Sequence, residues 1–282
     1  MKRLTRSMAN VKMCPNCRAF IDLKNKVCEY CGAEVGARKW EPPPSSAISS
    51  LVPQDNFTTI ILLLVNFGLF VATLVMTMKS ASGGGGLLAG IDMTVLRLFG
   101  AKDTFFIAQG EWWRLVTAGF LHAGVFHILM NSWVLFDLGM MAEQTFGTAR
   151  FLVIYFVSSV FGFIASMYWS PYAISVGASA AVCGLIGAMI AHNYRSGGGF
   201  GSFYVRWAVL IIVIGLMPGF HIDNAAHIGG MAAGFVIGYF AGTPRPASAA
   251  EPLWTVAAGA SLAVVAVAFY LAYQSLSATL YL

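Results

Sequence analysis

The sequence predicts an all-α polytopic membrane protein with a small cysteine-rich module at its N-terminus. Three observations carry this prediction. Of the 282 residues, 58% are hydrophobic and only 10% are charged, whereas soluble domains contain about 25% charged residues. Seven apolar runs each approach the roughly 20 residues that cross a bilayer as a helix. Four of the five cysteines lie between residues 14 and 31.

The predicted module comprises residues 1–40. Its cysteines form two C-x2-C pairs, namely Cys14 with Cys17 and Cys28 with Cys31. Such pairs can each bind one side of a tetrahedral ion, and four thiolates leave no open catalytic position. A module this small buries too little apolar surface to fold without a metal. The pattern resembles a zinc ribbon and favours a structural Zn²⁺ over disulfides or free thiols. Whether the module also binds a protein partner stays open.

The remaining chain divides into a linker and seven predicted spans. Residues 41–56 are rich in proline and serine and form a stiff, solvated linker. Six spans form a core over residues 57–242, and residues 243–282 add a second linker and a seventh span. The predicted spans are about 57–78, 121–142, 149–169, 177–194, 204–220, 225–241 and 254–275.

Small residues recur every three or four positions in two of these spans. The sixth span carries Gly230, Gly234 and Gly238, and the fourth carries a matching stripe of Ala180, Gly184, Ala188 and Ala191. Small residues allow helix backbones to approach closely within a membrane. We expect the two stripes to pack together and to bring the starts of both spans side by side.

The distribution of basic residues predicts the orientation. With the N-terminus inside, thirteen lysines and arginines lie on the inner side and four on the outer side, which agrees with the positive-inside rule. The basic excess is therefore a topology signal, so the lipid bilayer and not nucleic acid is the expected partner. We expect a multi-pass protein of a bacterial cell (inner) membrane, with its N-terminus cytosolic and its C-terminus outside.

Four polar groups converge in the outer leaflet under this orientation. Ser179 begins the fourth span, His227 lies near the start of the sixth, and His127 and Asn131 share one face of the second. Intramembrane polar residues are functional candidates by default. A serine hydroxyl beside an imidazole base and amide donors fits acyl transfer. Asp223, or its neighbour Asn224, is the predicted N-cap of the sixth span, which leaves a dyad.

The motifs in these positions resemble those of the rhomboid intramembrane serine proteases. The resemblance covers residues 58–242 and includes Gly110–Leu115, Phe120–His122, His127 to Asn131, Gly147 with Arg150 to Tyr155, Gly177–Ser179, and Ala226–His227 with Gly230 and Gly234. It implies a rhomboid-like six-helix bundle with one extra C-terminal helix. It also implies cleavage of single-span or other transmembrane protein substrates without a catalytic metal or cofactor.

The resemblance further implies a role for each site residue. Ser179 is the expected nucleophile, His227 the general base and then acid, and His127 with Asn131 the oxyanion donors. Two positions depart from the family pattern: Ala180 stands where glycine is usual, and Cys183 stands where an aromatic residue usually packs on the base. The connection at residues 217–222 is expected to cover the site.

Three other functions remain to be weighed against a protease. A catalytically weak or inactive relative that binds membrane-protein clients is the main alternative, and Cys183 favours it slightly. A transporter would need more intramembrane carboxylates than Asp137 and an internal repeat. A metalloprotease would need an H-x-x-x-H pair, which the sequence lacks.

Overall fold

A computed structural model describes residues 11–14, 19–22, 24–32, 35, 56–79, 90–198, 203–217, 222–244 and 249–280. The chain separates into two compact units, Met1–Val52 and Pro53–Leu282. In the first unit, strands β1 (Val11–Met13) and β2 (Phe20–Asp22) pair antiparallel, with Lys12 opposite Ile21. Cys14 follows β1 directly, and its amide donates to the carbonyl of Ala19 (2.8 Å) across the turn.

The described part of the second unit is mainly helical. Its helices there are α1 (Phe57–Lys79), α2 (Met93–Leu98), α3 (Thr104–Ala108), α4 (Arg114–Thr117), α5 (Val125–Trp169), α6 (Ser179–Arg195), α7 (Phe203–Gly215), α8 (Asn224–Ala241) and α9 (Ala250–Leu280). Each predicted span overlaps one of these helices, although α5 begins only at Val125 and α7 ends at Gly215. Among the described helices, α1, α5 and α9 are long and apolar enough to cross a membrane. The prediction of an all-α polytopic membrane protein is confirmed.

Helix α5 contains two of the predicted spans. They were expected as separate helices, but they follow each other without a loop through a sharp kink at Gly147. The backbone there has φ of 72°, which side chains other than glycine rarely adopt. A Cβ at this position would also lie only 2.9 Å from Cγ of Pro244. Glycine at this position thus permits the kink in α5.

Helices α6 and α8 form the centre of the helical unit, and their small residues are in contact. A Cβ added at Gly238 would lie 2.6 Å from Cα of Ala188, and one at Gly234 would lie 2.6 Å from Cα of Gly184. Gly230 faces the carbonyl of Ala180 in the same way. The predicted packing of the two stripes is confirmed. This packing also brings the starts of α6 and α8 together, because Gly230 contacts Ala180 in the first turn of α6.

Residues 90–124, which precede α5, form a folded structure with a buried arginine. Arg114 Nη1 donates to the carbonyls of Arg97 (2.7 Å) and Ala101 (3.2 Å), and its Nε donates to Glu111 (2.5 Å). Its guanidinium also lies over the ring of Phe106, 4.6 Å from the centroid. Only 5% of Arg114 is exposed. The arginine therefore ties α2, α3 and α4 into one unit.

Charged residues also hold the outer helices α1 and α9 to the core. The Glu143 carboxylate accepts from the amide of Thr59 (2.9 Å) and from its hydroxyl (2.7 Å), so it caps the start of α1. Arg150 forms a bidentate pair with Glu251 at the start of α9 (2.7 and 2.8 Å), and its Nε donates to the carbonyl of Ala241. These contacts join elements far apart in sequence.

Candidate functional site

Ser179 is the first residue of α6 and remains partly exposed. Its amide therefore has no partner within the helix. Two residues earlier, Gly177 has φ of 128°, and its amide donates to the carbonyl of Ala118 (2.9 Å). A Cβ at Gly177 would lie 2.7 Å from Nε2 of His127 and 3.6 Å from Oγ of Ser179. The Ser179 hydroxyl and the His127 imidazole thus both lie close to Gly177, where a side chain would collide with the ring.

His127 and Asn131 lie one turn apart near the start of α5. The Ala123 amide donates to Nδ1 of His127 (3.3 Å), so a neutral ring carries its proton on Nε2. That nitrogen lies against Gly177, two residues before Ser179. The Asn131 side chain is buried, and its Nδ2 donates to the carbonyl of His127 (3.0 Å). Both side chains can present N–H groups for a negative oxygen.

His227 lies in the first turn of α8 and is 5% exposed. Its amide donates to the carbonyl of Asp223 (3.1 Å), while its Nδ1 is buried and finds no hydrogen-bond partner among the residues that the structure describes. Asp223 is the N-cap of α8, as predicted, because its carboxylate accepts from the amide of Ala226 (3.0 Å). The carboxylate therefore binds the helix start and not the imidazole ring.

A glycine on α5 brings the serine and histidine helices together. A Cβ at Gly162 would lie 2.6 Å from the carbonyl oxygen of Ala226 and 2.8 Å from Cβ of Ala180. Ala180 follows Ser179, and Ala226 precedes His227. Within the described part of the chain, no hydrogen bond joins Ser179 Oγ to His227. Catalytic hydrogen bonds are often long before substrate binds.

Helix α6 accommodates both departures from the family pattern. Ala180 packs on Gly230 through its carbonyl, so its own methyl group can point towards Gly162 without separating α6 from α8. Cys183 is 1% exposed and belongs to the buried face of α6. It thus fills space in the bundle one turn after the serine.

His122 belongs to the Phe120–His122 motif but was not predicted as a site residue. It is fully buried, and its ring centroid lies 5.2 Å from that of His127 in an edge-to-face arrangement. The sequence did not indicate that His122 packs on His127, because this contact depends on the backbone conformation just before α5.

The sequence predicted that residues 217–222 cover the site. Of these, residues 218–221 lie outside the described residues. Asp137, which the sequence left without a role, lines a groove between α5 and α7 together with Trp133 and Trp207. It is exposed and far along α5 from His127, so it does not join the four site residues.

Comparison with known proteins gives a consistent result. The Rhomboid domain family matches residues 109–244, a range that includes all four predicted site residues. The putative rhomboid protease YdcA of Bacillus subtilis (strain 168) is 32% identical over 137 residues, which are 47% of this chain and 69% of that relative. The chain belongs to the rhomboid family.

Two further rhomboid relatives are matched over longer segments of this chain. Rhomboid protease GluP of Bacillus subtilis (strain 168) is 38% identical over 169 residues, or 59% of this chain and 33% of the relative. RHOMBOID-like protein 1 of Arabidopsis thaliana is 36% identical over 159 residues, or 54% and 40%. The matches thus span between a third and a half of these two relatives.

The N-terminal unit of this rhomboid carries a second candidate site. The sulfurs of Cys14, Cys28 and Cys31 lie within 4.8 Å of one another, a separation suited to thiolates that share one tetrahedral ion. Cys14 and Cys28 are buried. The fourth predicted ligand, Cys17, lies outside the described residues. Three of the four thiols are thus arranged to bind a metal ion.

Proposed function

We propose that this rhomboid is an intramembrane serine endopeptidase that hydrolyses peptide bonds in or near transmembrane segments. The observation that carries the proposal is the convergence of the Ser179 hydroxyl and the His127 Nε2 beside Gly177. The packing of Ala180 and Ala226 against Gly162, next to the two proposed catalytic residues, supports a Ser179–His227 dyad. Relatives named rhomboid proteases support the same reaction class.

In the proposed reaction, His227 takes the proton from Ser179 Oγ as that oxygen attacks the substrate carbonyl carbon. The resulting oxyanion accepts hydrogen bonds from His127 Nε2–H, the Asn131 amide and the amide N–H of Ser179. The start of α6 adds positive potential at this point. His227 then gives the proton to the leaving amine, and water hydrolyses the acyl-enzyme with the same histidine as base.

The experiment is cleavage of a single-span reporter by the full chain in lipid vesicles. Ser179→Ala and His227→Ala are expected to abolish cleavage while the protein remains folded. His192→Ala is the matched control, because His192 packs edge-to-face on Phe146 near the other end of α6. Cleavage that persists in Ser179→Ala excludes this mechanism. A folded wild-type chain that neither cleaves nor reacts with a fluorophosphonate indicates the client-binding alternative.

The proposed setting is a bacterial cell (inner) membrane, with the N-terminus cytosolic and the C-terminus outside. The charge distribution in the sequence supports this orientation. We propose the organisation expected from the sequence: residues 1–40 as the module, 41–56 as linker, 57–242 as the catalytic core, and 243–282 as linker and seventh span. Cysteine labelling from each side of sealed vesicles tests the orientation.

The proposed role of the N-terminal module is structural zinc binding by Cys14, Cys17, Cys28 and Cys31. The close approach of three of these sulfurs supports it. With four thiolates, the ion stabilises the module and leaves no position for a catalytic water. Such a module offers a folded surface to a protein partner on the proposed cytosolic side. Metal analysis of the purified chain and of Cys28→Ser tests the zinc.

A further inference from the structure

Lys102 is a buried lysine in the connection between α2 and α3. It has no exposed surface. Its ammonium donates to the carbonyls of Ala173 (2.9 Å), Ser170 (3.0 Å) and Ser166 (3.4 Å). These carbonyls lie in and just beyond the last turn of α5, where the helix dipole favours a positive charge. The lysine therefore caps the C-terminal end of α5 from a distant part of the chain.

The backbone of Lys102 holds the segment that leads to the serine. Its amide donates to the carbonyl of Ser175 (3.0 Å), and the amide of Ser175 donates back to the carbonyl of Lys102 (3.1 Å). Ser175 lies four residues before Ser179. Together with the bond from Gly177 to Ala118, this pairing fixes the approach to α6. The position of Ser179 thus depends on the first connection.

Asp223 joins the same elements to the start of α8. Its Oδ2 accepts from the hydroxyls of Ser166 and Ser175, while its Oδ1 accepts from the amide of Ala226. Both serines are buried. Burial lowers the pKa of Lys102, and the nearby carboxylates of Asp223 and Asp103 act in the opposite direction. One carboxylate therefore links α5, the segment before Ser179, and α8.

This link compensates for a contact that the base histidine lacks. In Ser-His-Asp enzymes a carboxylate holds the histidine through its second ring nitrogen. Among the described residues, Nδ1 of His227 has no hydrogen-bond partner, so no hydrogen bond through this nitrogen orients the ring. Asp223 lies one turn before His227 and fixes that helix start. Its control of the imidazole is exerted through the backbone.

We propose that Lys102, Ser166, Ser175 and Asp223 form a positioning network that sets His227 relative to Ser179. The inference rests on the proposed dyad, because it concerns the placement of the same two side chains. None of the four residues touches the scissile bond in this proposal. They are positioning residues, and their loss changes the rate of the chemical step more than the binding of substrate.

The first test uses the full chain in lipid vesicles with a single-span reporter. Asp223→Ala removes the cap and both serine contacts, so kcat is expected to fall about 100-fold, as for a misplacement of roughly 1 Å. Lys102→Met retains the backbone pairing and is expected to lower kcat about tenfold through lost charge-assisted bonds. KM stays within about twofold of wild type, because substrate contacts are unchanged.

The second test uses a matched serine pair on α5. Ser166→Ala removes a hydroxyl bound to Asp223 and is expected to lower kcat about tenfold. Ser158→Ala removes an equally buried hydroxyl that has no hydrogen-bond partner in the described part of the chain and is expected to leave kcat unchanged. Ser175→Ala removes the other hydroxyl bound to Asp223 and changes the side chain little. If Asp223→Ala does not fold, the kcat of Ser175→Ala tests the network instead.

Rescue and labelling separate positioning from general destabilisation. Asparagine caps helices about as well as aspartate, and its Nδ2 can donate to the two serine hydroxyl oxygens, so Asp223→Asn is expected to recover part of the kcat lost in Asp223→Ala. The rate at which a fluorophosphonate labels Ser179 is expected to fall in step with kcat. If kcat per labelled site in Ser166→Ala equals that in Ser158→Ala, the positioning network is refuted.

The proposed function has its own controls in the same assay. If wild type cleaves and Ser179→Ala does not, the dyad stands whatever the network variants do. If Ser179→Ala cleaves as well as wild type, the proposed function fails and the positioning inference fails with it. The two failures are therefore distinguished by Ser179→Ala alone.

Discussion

The contact between α6 and α8 leads to a sharp prediction for Gly234→Ala. The new methyl carbon would lie 2.6 Å from Cα of Gly184 and closer still to its carbonyl oxygen. Carbon atoms in contact are about 3.5–4.0 Å apart. Because the obstructing atoms are backbone, no side chain can turn away, and the two helices must separate by about 1 Å.

That separation should affect both catalysis and stability. Ser179 and His227 lie at the starts of the two helices, and misplacement by about 1 Å costs roughly 100-fold in rate. Overpacking of this kind costs about 1–3 kcal/mol of unfolding free energy. We therefore expect kcat for a single-span reporter to fall about 100-fold and the unfolding temperature to drop, while KM changes less.

The control is the same substitution where the structure leaves room. A Cβ at Gly259 of α9 or at Gly68 of α1 meets no atom within 4 Å. Alanine favours helix over glycine by about 1 kcal/mol, so these variants should be as stable as wild type or more so, with unchanged kcat. Wild-type kcat and unfolding temperature in Gly234→Ala would show that α6 and α8 do not pack as described.

Three further outcomes follow from contacts outside the dyad. Glu143→Ala leaves the amide and hydroxyl of Thr59 without their acceptor and should lower the unfolding free energy by about 1–3 kcal/mol; an unchanged denaturation midpoint would exclude the cap. Arg150→Lys loses the bidentate pair with Glu251 and should lower the unfolding temperature, whereas the same substitution at the exposed Arg195 of α6 serves as its control. Zinc removal by a chelator should unfold the N-terminal module, seen as faster proteolysis there, while reporter cleavage continues; loss of cleavage would connect the metal to the reaction.

The helical segments of the fold could be predicted because lipid imposes a length and a composition on every span. The small-residue stripes on α6 and α8 were predictable for a related reason. Within lipid, close backbone approach requires small side chains, so the four-residue spacing from Gly230 to Gly238 predicts a helix contact on this face of α8. The kink at Gly147 was not predicted, and two separate helices were expected there. A polar interruption between two apolar runs has the same sequence pattern whether a loop or a single residue with positive φ lies there.

The candidate site was only partly predictable. Ser179, His227, His127 and Asn131 could be named because polar side chains are conspicuous in apolar spans. Lys102 could not, since it lies in a polar connection and was counted among the outer basic residues. The structure buries it completely.

The role of Lys102 comes from pairing with segments about 70 residues away. Such non-local contacts leave no periodic pattern in the sequence. The same holds for Asp223. Its N-cap role is local and was predicted, whereas its bonds to Ser166 and Ser175 depend on how three elements meet.

The glycine contact between α6 and α8 also affects how the protein responds to temperature. Soluble proteins lose hydrophobic stabilisation on cooling, because burial of apolar surface from water carries a large heat-capacity change. Helices that separate within a bilayer expose their faces to hydrocarbon instead, so this heat-capacity change is small. The free energy that holds α6 against α8 therefore varies almost linearly with temperature, and the packing of these two helices persists in the cold.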